Sequence, residues 1–160
     1  MAGDTFGPES FPTYVVNPTG TSVDDDKCVV PVTKYEQSQA DWAEDFSWGG
    51  RFYVNFTAQP EVHVAAIRAL VATDCAVYIR IVPVSSAIGR ALQERITDDA
   101  VAHVVPGVQV ALVGFDPVSD RVLVGIVGPV TPQIRADFES RYPAEMIELF
   151  EKMPALPAAS

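Results

Sequence analysis

Positive charge is scarce in this chain. Eleven Lys and Arg stand against twenty-one Asp and Glu over 160 residues, a net charge of −10. Phosphate backbones and anionic membranes are held by clustered Lys and Arg, and no run of them occurs here, so no nucleic-acid partner is expected. Long apolar runs are also missing. No stretch approaches the roughly eighteen apolar residues that a spanning helix needs, so no membrane span is expected. Met1–Phe11 is polar, with Asp4, Glu9 and two Gly, and lacks the basic start and apolar middle of a signal peptide. The expectation is an extracellular or cell-envelope protein in its mature form; the alternative is a cytoplasmic one.

Cysteine and histidine are nearly absent. Cys28 and Cys75 permit one intramolecular pairing and are not in a C-x-x-C arrangement, so thiol redox catalysis is not expected. Bonded, they would close a loop of nearly fifty residues and stabilise the fold by roughly 3–4 kcal/mol on the loop-entropy view. Unbonded, they would be two buried thiols. His63 and His103 are the only imidazoles, and each is read as structural: His63 lies in the first turn of a helix with only Glu61 at metal-ligand spacing, and His103 lies in the apolar connector Val101–Val105. Three adjacent acids, Asp24, Asp25 and Asp26, lack the alternating spacing of a calcium loop and read as a solvated turn. Gly114, Gly125 and Gly128 have no dinucleotide-binding spacing. No cofactor, metal or catalytic residue is expected.

What the chain does contain is a faint internal repeat. Arg51–Phe56 alternates as a strand and is followed by a Pro-started helix from Pro60; about seventy residues on, Arg121–Ile126 is followed by a helix from Pro132. Shifting the second helix back by seventy-two residues sets Ile134, Phe138 and Tyr142 on Val62, Ala66 and Leu70. Val62, Ala66, Ala69 and Leu70 form one apolar stripe of the first helix, and Val64, Ile67 and Val71 another. That helix is therefore expected to be buried on most sides, its outer face covered by the N-terminal segment or a partner. Trp48-Gly49-Gly50 marks a turn, Val77–Ile81 a further strand stopped by Pro83, and Ser85–Asp98 a helix. Asp116–Asp120 is turn chemistry between strands Val108–Phe115 and Arg121–Val127. Met146–Phe150 is ambiguous locally, and the repeat makes it a strand.

The fold expected is α+β: two small sheet-plus-helix units of ββαβ type joined by a helix. Residues 1–44 form an irregular extension whose β-branched runs Tyr14–Val16 and Cys28–Val32 are candidate strands, the second confined to an edge by Pro31. The repeat domain covers 45–154 and a tail covers 155–160. Asn55-Phe56-Thr57 matches a glycosylation acceptor but lies within a strand. Trp42 and Trp48 would form an aromatic binding patch if exposed together.

Two stretches resemble a known family. One is Arg51–Ile96, with QPEVHVAAIRALV and a helix ending ALQERI. The other is VQVALVGFDPVSDRVLVGIVGPVTPQIRADFESRY from Val108 to Tyr142. The pattern Asp116, Pro117, Asp120, Arg121, Val122, Val124, Gly125, then Arg141-Tyr142, looks like the α/β pro-region of α-lytic-type serine proteases, a domain of secreted bacterial proteins. It covers roughly residues 46–150; Gly89 and Val82-Pro83-Val84 depart from the usual strand-to-helix passage. The resemblance implies a structural module with no catalytic residues. The function expected is a non-catalytic interaction module that binds another protein by strand addition, with Arg121, Leu123 and Gly125 as the interaction edge. The rivals are a protease inhibitor or detached pro-region, a small hydrolase using His63 or His103, and a structural envelope protein. Neither the partner nor the oligomeric state follows from the sequence.

Overall fold

The computed structural model describes residues 7–152, so the tail expected at 155–160 lies outside the described residues. Local chemistry sets most element boundaries. β2 (Trp42–Trp48) and β3 (Arg51–Phe56) are joined by Gly49 and Gly50, with φ of 59° and 77°. Two consecutive left-handed residues match the right-handed twist of paired strands, and glycine adopts them without a Cβ clash. α2 (Pro60–Leu70) and α4 (Pro132–Arg141) both start on proline, which lacks the N–H that a first helical position leaves unbonded. Thr131 caps α4 by accepting the Ile134 N–H at 3.1 Å.

The fold is α+β, as expected. β1 (Thr13–Val16) and β4 (Val77–Ile81) complete a four-stranded sheet in the order β1-β4-β3-β2, with β3 and β4 parallel. After α3 (Ser86–Val101), the strands β5 (Val110–Asp116), β6 (Arg121–Ile126) and β7 (Ile147–Glu151) form a second sheet in the order β5-β6-β7, with β6 and β7 parallel. Each half is thus a hairpin, a crossover helix and a strand parallel to the hairpin's second strand. Val122 stands seventy positions after Phe52, and Ile147 seventy after Val77, in matching register.

The helices match with a different offset. Val71 N–H closes α2 on Ile67 O, and Tyr142 N–H closes α4 on Phe138 O. Phe138 and Tyr142 are therefore equivalent to Ile67 and Val71, seventy-one residues apart, and His63 takes the place of Ile134. This corrects the expected offset of seventy-two and the reading of α2 as buried on most sides. His63 and Ile67 face the core, while Val62 and Leu70 are 55% and 48% exposed. A buried histidine stands in the apolar row, and a pattern drawn from apolar residues alone is displaced by one position.

The N-terminal residues also differ from the irregular extension expected. The run Cys28–Val32 is helical, not extended: Asp24 accepts the N–H groups of Asp26 and Lys27 at 3.0 Å and opens a π-helical turn over Asp25–Val29 that continues into α1 (Val30–Glu36). A carboxylate capping the first N–H groups outweighs the extended preference of β-branched residues. The acid cluster therefore acts as a helix start. Val16, Cys28 and Val32 lie in the same core as Phe52, Val54, Phe56, Ile67 and Ile79.

The chain divides into two compact units. The first is Met1–Ala87 with Pro117–Asp120; the second is Ile88–Asp116 with Arg121–Ser160. The second has its own core, in which Leu92 and Ile96 of α3, Phe138 of α4 and Tyr142 at its C-cap pack with Val122, Val124 and Ile126 of β6. Ile134 is partly buried against it.

Candidate functional site

His63 is 1% exposed and lies in the first unit, stacked on Phe56 with ring centroids 3.7 Å apart. Both ring nitrogens are engaged. Nε2 lies 2.8 Å from Asp41 Oδ2 and Nδ1 lies 2.7 Å from the Tyr35 hydroxyl. Nε2–H donates to the Asp41 carboxylate, and Nδ1 shares a hydrogen bond with the Tyr35 hydroxyl. Burial, reinforced by the Asp41 charge, raises the Tyr35 phenol above its ordinary pKa, so the end of this chain of bonds is not an activated nucleophile. Neither partner has local spacing to His63 in sequence, since Asp41 precedes β2 and Tyr35 is on α1.

Three carboxyl groups form a second polar feature of this unit. Glu36, 2% exposed on α1, is pushed up to about 9 by burial and by its hydrogen bond to Asp45 on β2. A carboxyl in that state is a neutral acid at pH 7, and it can donate to a carboxylate. Beside Asp45, Glu44 Oε2 accepts from Ser86 Oγ. Among the described residues, no group of three or more His, Cys, Asp and Glu could hold a metal ion.

Arg80 on β4 is fully buried. Its guanidinium donates to Asn55 Oδ1 at 2.9 Å, to the carbonyls of Pro117 and Val118 at 2.6 and 3.0 Å, and to Pro8 O at 3.3 Å, and it lies 4.7 Å from the Phe46 ring centre. Asn55 Nδ2 donates to the same Pro117 carbonyl at 2.8 Å. This Asn is fully buried and hydrogen-bonded on both side-chain atoms, so it offers no glycan acceptor. An isolated basic residue in a strand reads as solvent-facing, so the sequence gives no direct sign of this buried arginine. Its one available signal is the apolar company of Val77, Ile79 and Ile81.

Cys28 and Cys75 are joined by a disulfide spanning 47 residues, which settles the alternatives left open above. No helix among the described residues is long and apolar enough to cross a membrane. Trp42 and Trp48 do not form one patch. They sit at opposite ends of β2, roughly 20 Å apart at about 3.3 Å per residue; Trp48 is 47% exposed, while Trp42 packs against the core. In the second unit, His103 is exposed just after α3, with φ 54°, and borders an open depression of about 450 Å³ with Val105, Val108 and Val110.

The interaction edge expected on β6 is corrected by the sheet order. β6 is the central strand, paired with β5 on one side and β7 on the other, so Arg121, Leu123 and Gly125 occupy no edge. They alternate with the buried Val122, Val124 and Ile126 and lie on the opposite face. There Arg121 Nη1 is 3.9 Å from Glu148 Oε1 of β7, and the Phe150 ring fills the space a Cβ at Gly125 would need.

Among the described residues, β1, β2, β5 and β7 each have a strand on one side only. β1 is four residues long, between Pro12 and Pro18. β2 breaks register between Trp42 and Asp45, with Glu44 at φ 80° and two acids on the strand. β5 breaks register between Val110 and Leu112, and its Phe115 N–H is taken by Gln93 Oε1 at 3.0 Å. Short length, proline, bulges, charge and covering groups are the devices that blunt an edge. β7 is five residues long and carries two acids, Glu148 and Glu151, but it has neither a bulge nor a proline within it, and it pairs with β6 over its whole length. Lys152 N–H donates to Ile126 O at 2.7 Å. Parallel ladders alternate, so Phe150 and Glu148 also turn toward β6, while the N–H and C=O of Ile147, Leu149 and Glu151 turn outward.

Compared with known protein families, curated proteins and solved structures, the chain matches none.

Proposed function

We propose that this chain is a non-catalytic protein-binding module of an exported protein, and that it acts by accepting an extended segment of its partner along β7. The observation that carries this reading is the regular outer side of Ile147–Glu151, which offers main-chain donors and acceptors at Leu149 and Glu151 where the other three sheet edges are blunted. The disulfide accords with an oxidising compartment. The likeness to protease pro-regions accords with a module that works through sheet pairing. His63 supports binding over hydrolysis, because its ring is 1% exposed and does not reach the surface where a substrate would bind.

The test uses partner captured from the culture fluid or envelope fraction of the source cells. Glu151→Pro removes an outward N–H without breaking a ladder bond, so it should abolish capture while leaving thermal unfolding within a few degrees of the parent. His63→Phe should retain capture. Capture that survives Glu151→Pro, together with no added hydrogen-exchange protection at Leu149 and Glu151 when the parent chain binds its partner, would overturn the reading.

A further inference from the structure

We infer that the segment received by β7 carries a basic side chain opposite Glu148 and an apolar one beside Phe150. This rests on the strand-addition reading and names the chemistry of the partner. Ile147 and Leu149 are buried in the core of the second unit, so an added strand meets the side chains of Glu148 and Phe150 on the opposite face. The acids recur along this edge: Glu145 in the turn before β7, then Glu148 and Glu151 on it. The nearest cation to Glu148 is Arg121, one strand further in, at 3.9 Å, which leaves the outer flank of the carboxylate to a partner. Phe150 leans inward over Gly125 and is only half-buried there, which leaves apolar surface for an incoming strand.

A second copy of this chain fits the edge poorly. Antiparallel pairing about Leu149 would bring the two Glu148 side chains diagonally together and set two molecules of net charge −10 against each other. A strand with one Lys or Arg opposite Glu148 and an apolar residue two positions away satisfies the same main-chain groups and neutralises that acid. Cross-strand pairs of opposite charge favour pairing and like charges oppose it, so the preference appears as selectivity among strands of equal hydrogen-bonding capacity.

The experiment titrates the full chain with two blocked peptides about eight residues long, an ordinary strand length, with Thr at every second position and the intervening face alternating Lys with Val in one and Glu with Val in the other. Residue-level hydrogen exchange reports the site. The expected result is protection of the Leu149 and Glu151 amides by the Lys peptide, which binds about fivefold to tenfold more tightly than the Glu peptide. Glu148→Lys should reverse that preference, and added salt should weaken it. Equal protection of these amides by both peptides would overturn the charge preference and leave edge addition standing. Protection by neither would overturn both.

Discussion

Phe138 is 1% exposed at the centre of the second core, where α4 meets β6. Truncating it leaves a cavity that the strand face cannot close, so Phe138→Ala should cost about 3–5 kcal/mol in a denaturant titration. A loss under about 1 kcal/mol would mean that α4 is not docked through this ring. Glu36 makes a prediction of a different kind. Its folded-state pKa, about 9, lies above the ordinary carboxyl value, so the folded protein holds a proton there that the unfolded chain releases. Its contribution is fully present below the unfolded pKa and is lost as pH rises toward 9. Unfolding free energy should therefore fall between pH 5 and 9, and Glu36→Gln, which stays neutral, should flatten that slope. A slope unchanged in the variant would remove Glu36 as its source. Neither Glu36 nor His63 was visible as a buried polar group in sequence. Their partners come from other elements, and a lone Glu in a helix gives no sign of which way it faces.

The elements were largely legible because their signals are local. Pro60, Thr131-Pro132 and Trp48-Gly49-Gly50 each specify a boundary through backbone chemistry alone. Thr131→Ala removes the cap of α4 and should cost about 1 kcal/mol, measurable as a shift of the denaturation midpoint. The apolar pattern of α2 is displaced by one residue from its true register because a histidine occupies a core position. The Asp24 cap is not distinct in sequence because its acids read equally as a solvated turn. Edge status is illegible for another reason: it belongs to the sheet and not to the strand. The parallel return of β7 beside β6 makes β6 central, although nothing in Arg121–Ile126 itself distinguishes a middle strand from an outer one.

For the whole molecule, the disulfide fastens the segment before α1 to the start of β4 within the first unit. Removing it with Cys28→Ser and Cys75→Ser together should destabilise that unit by about 2–5 kcal/mol, with less effect on the exchange of β6 and β7 amides. Uniform loss of protection across both units would show a single cooperative transition. Net charge acts at the same scale, through solubility and partner choice, and says nothing about fold.

The discontinuous first unit has a consequence for biosynthesis. Residues 117–120 belong to it, although Ile88–Asp116 intervene. As the chain leaves the ribosome, all of β1 to β4 emerges before the carbonyls of Pro117 and Val118 that receive the Arg80 guanidinium. At roughly 5–20 residues per second, the interval lasts a few seconds. During it a strand-borne cation lacks two of its acceptors, and a buried charge without partners opposes closure of the core around it. A nascent chain stalled just past Ala87 should therefore remain protease-sensitive, and one stalled well past Asp120 should resist. Resistance already present at the earlier stall would mean that Arg80 reaches water or other acceptors until the turn arrives.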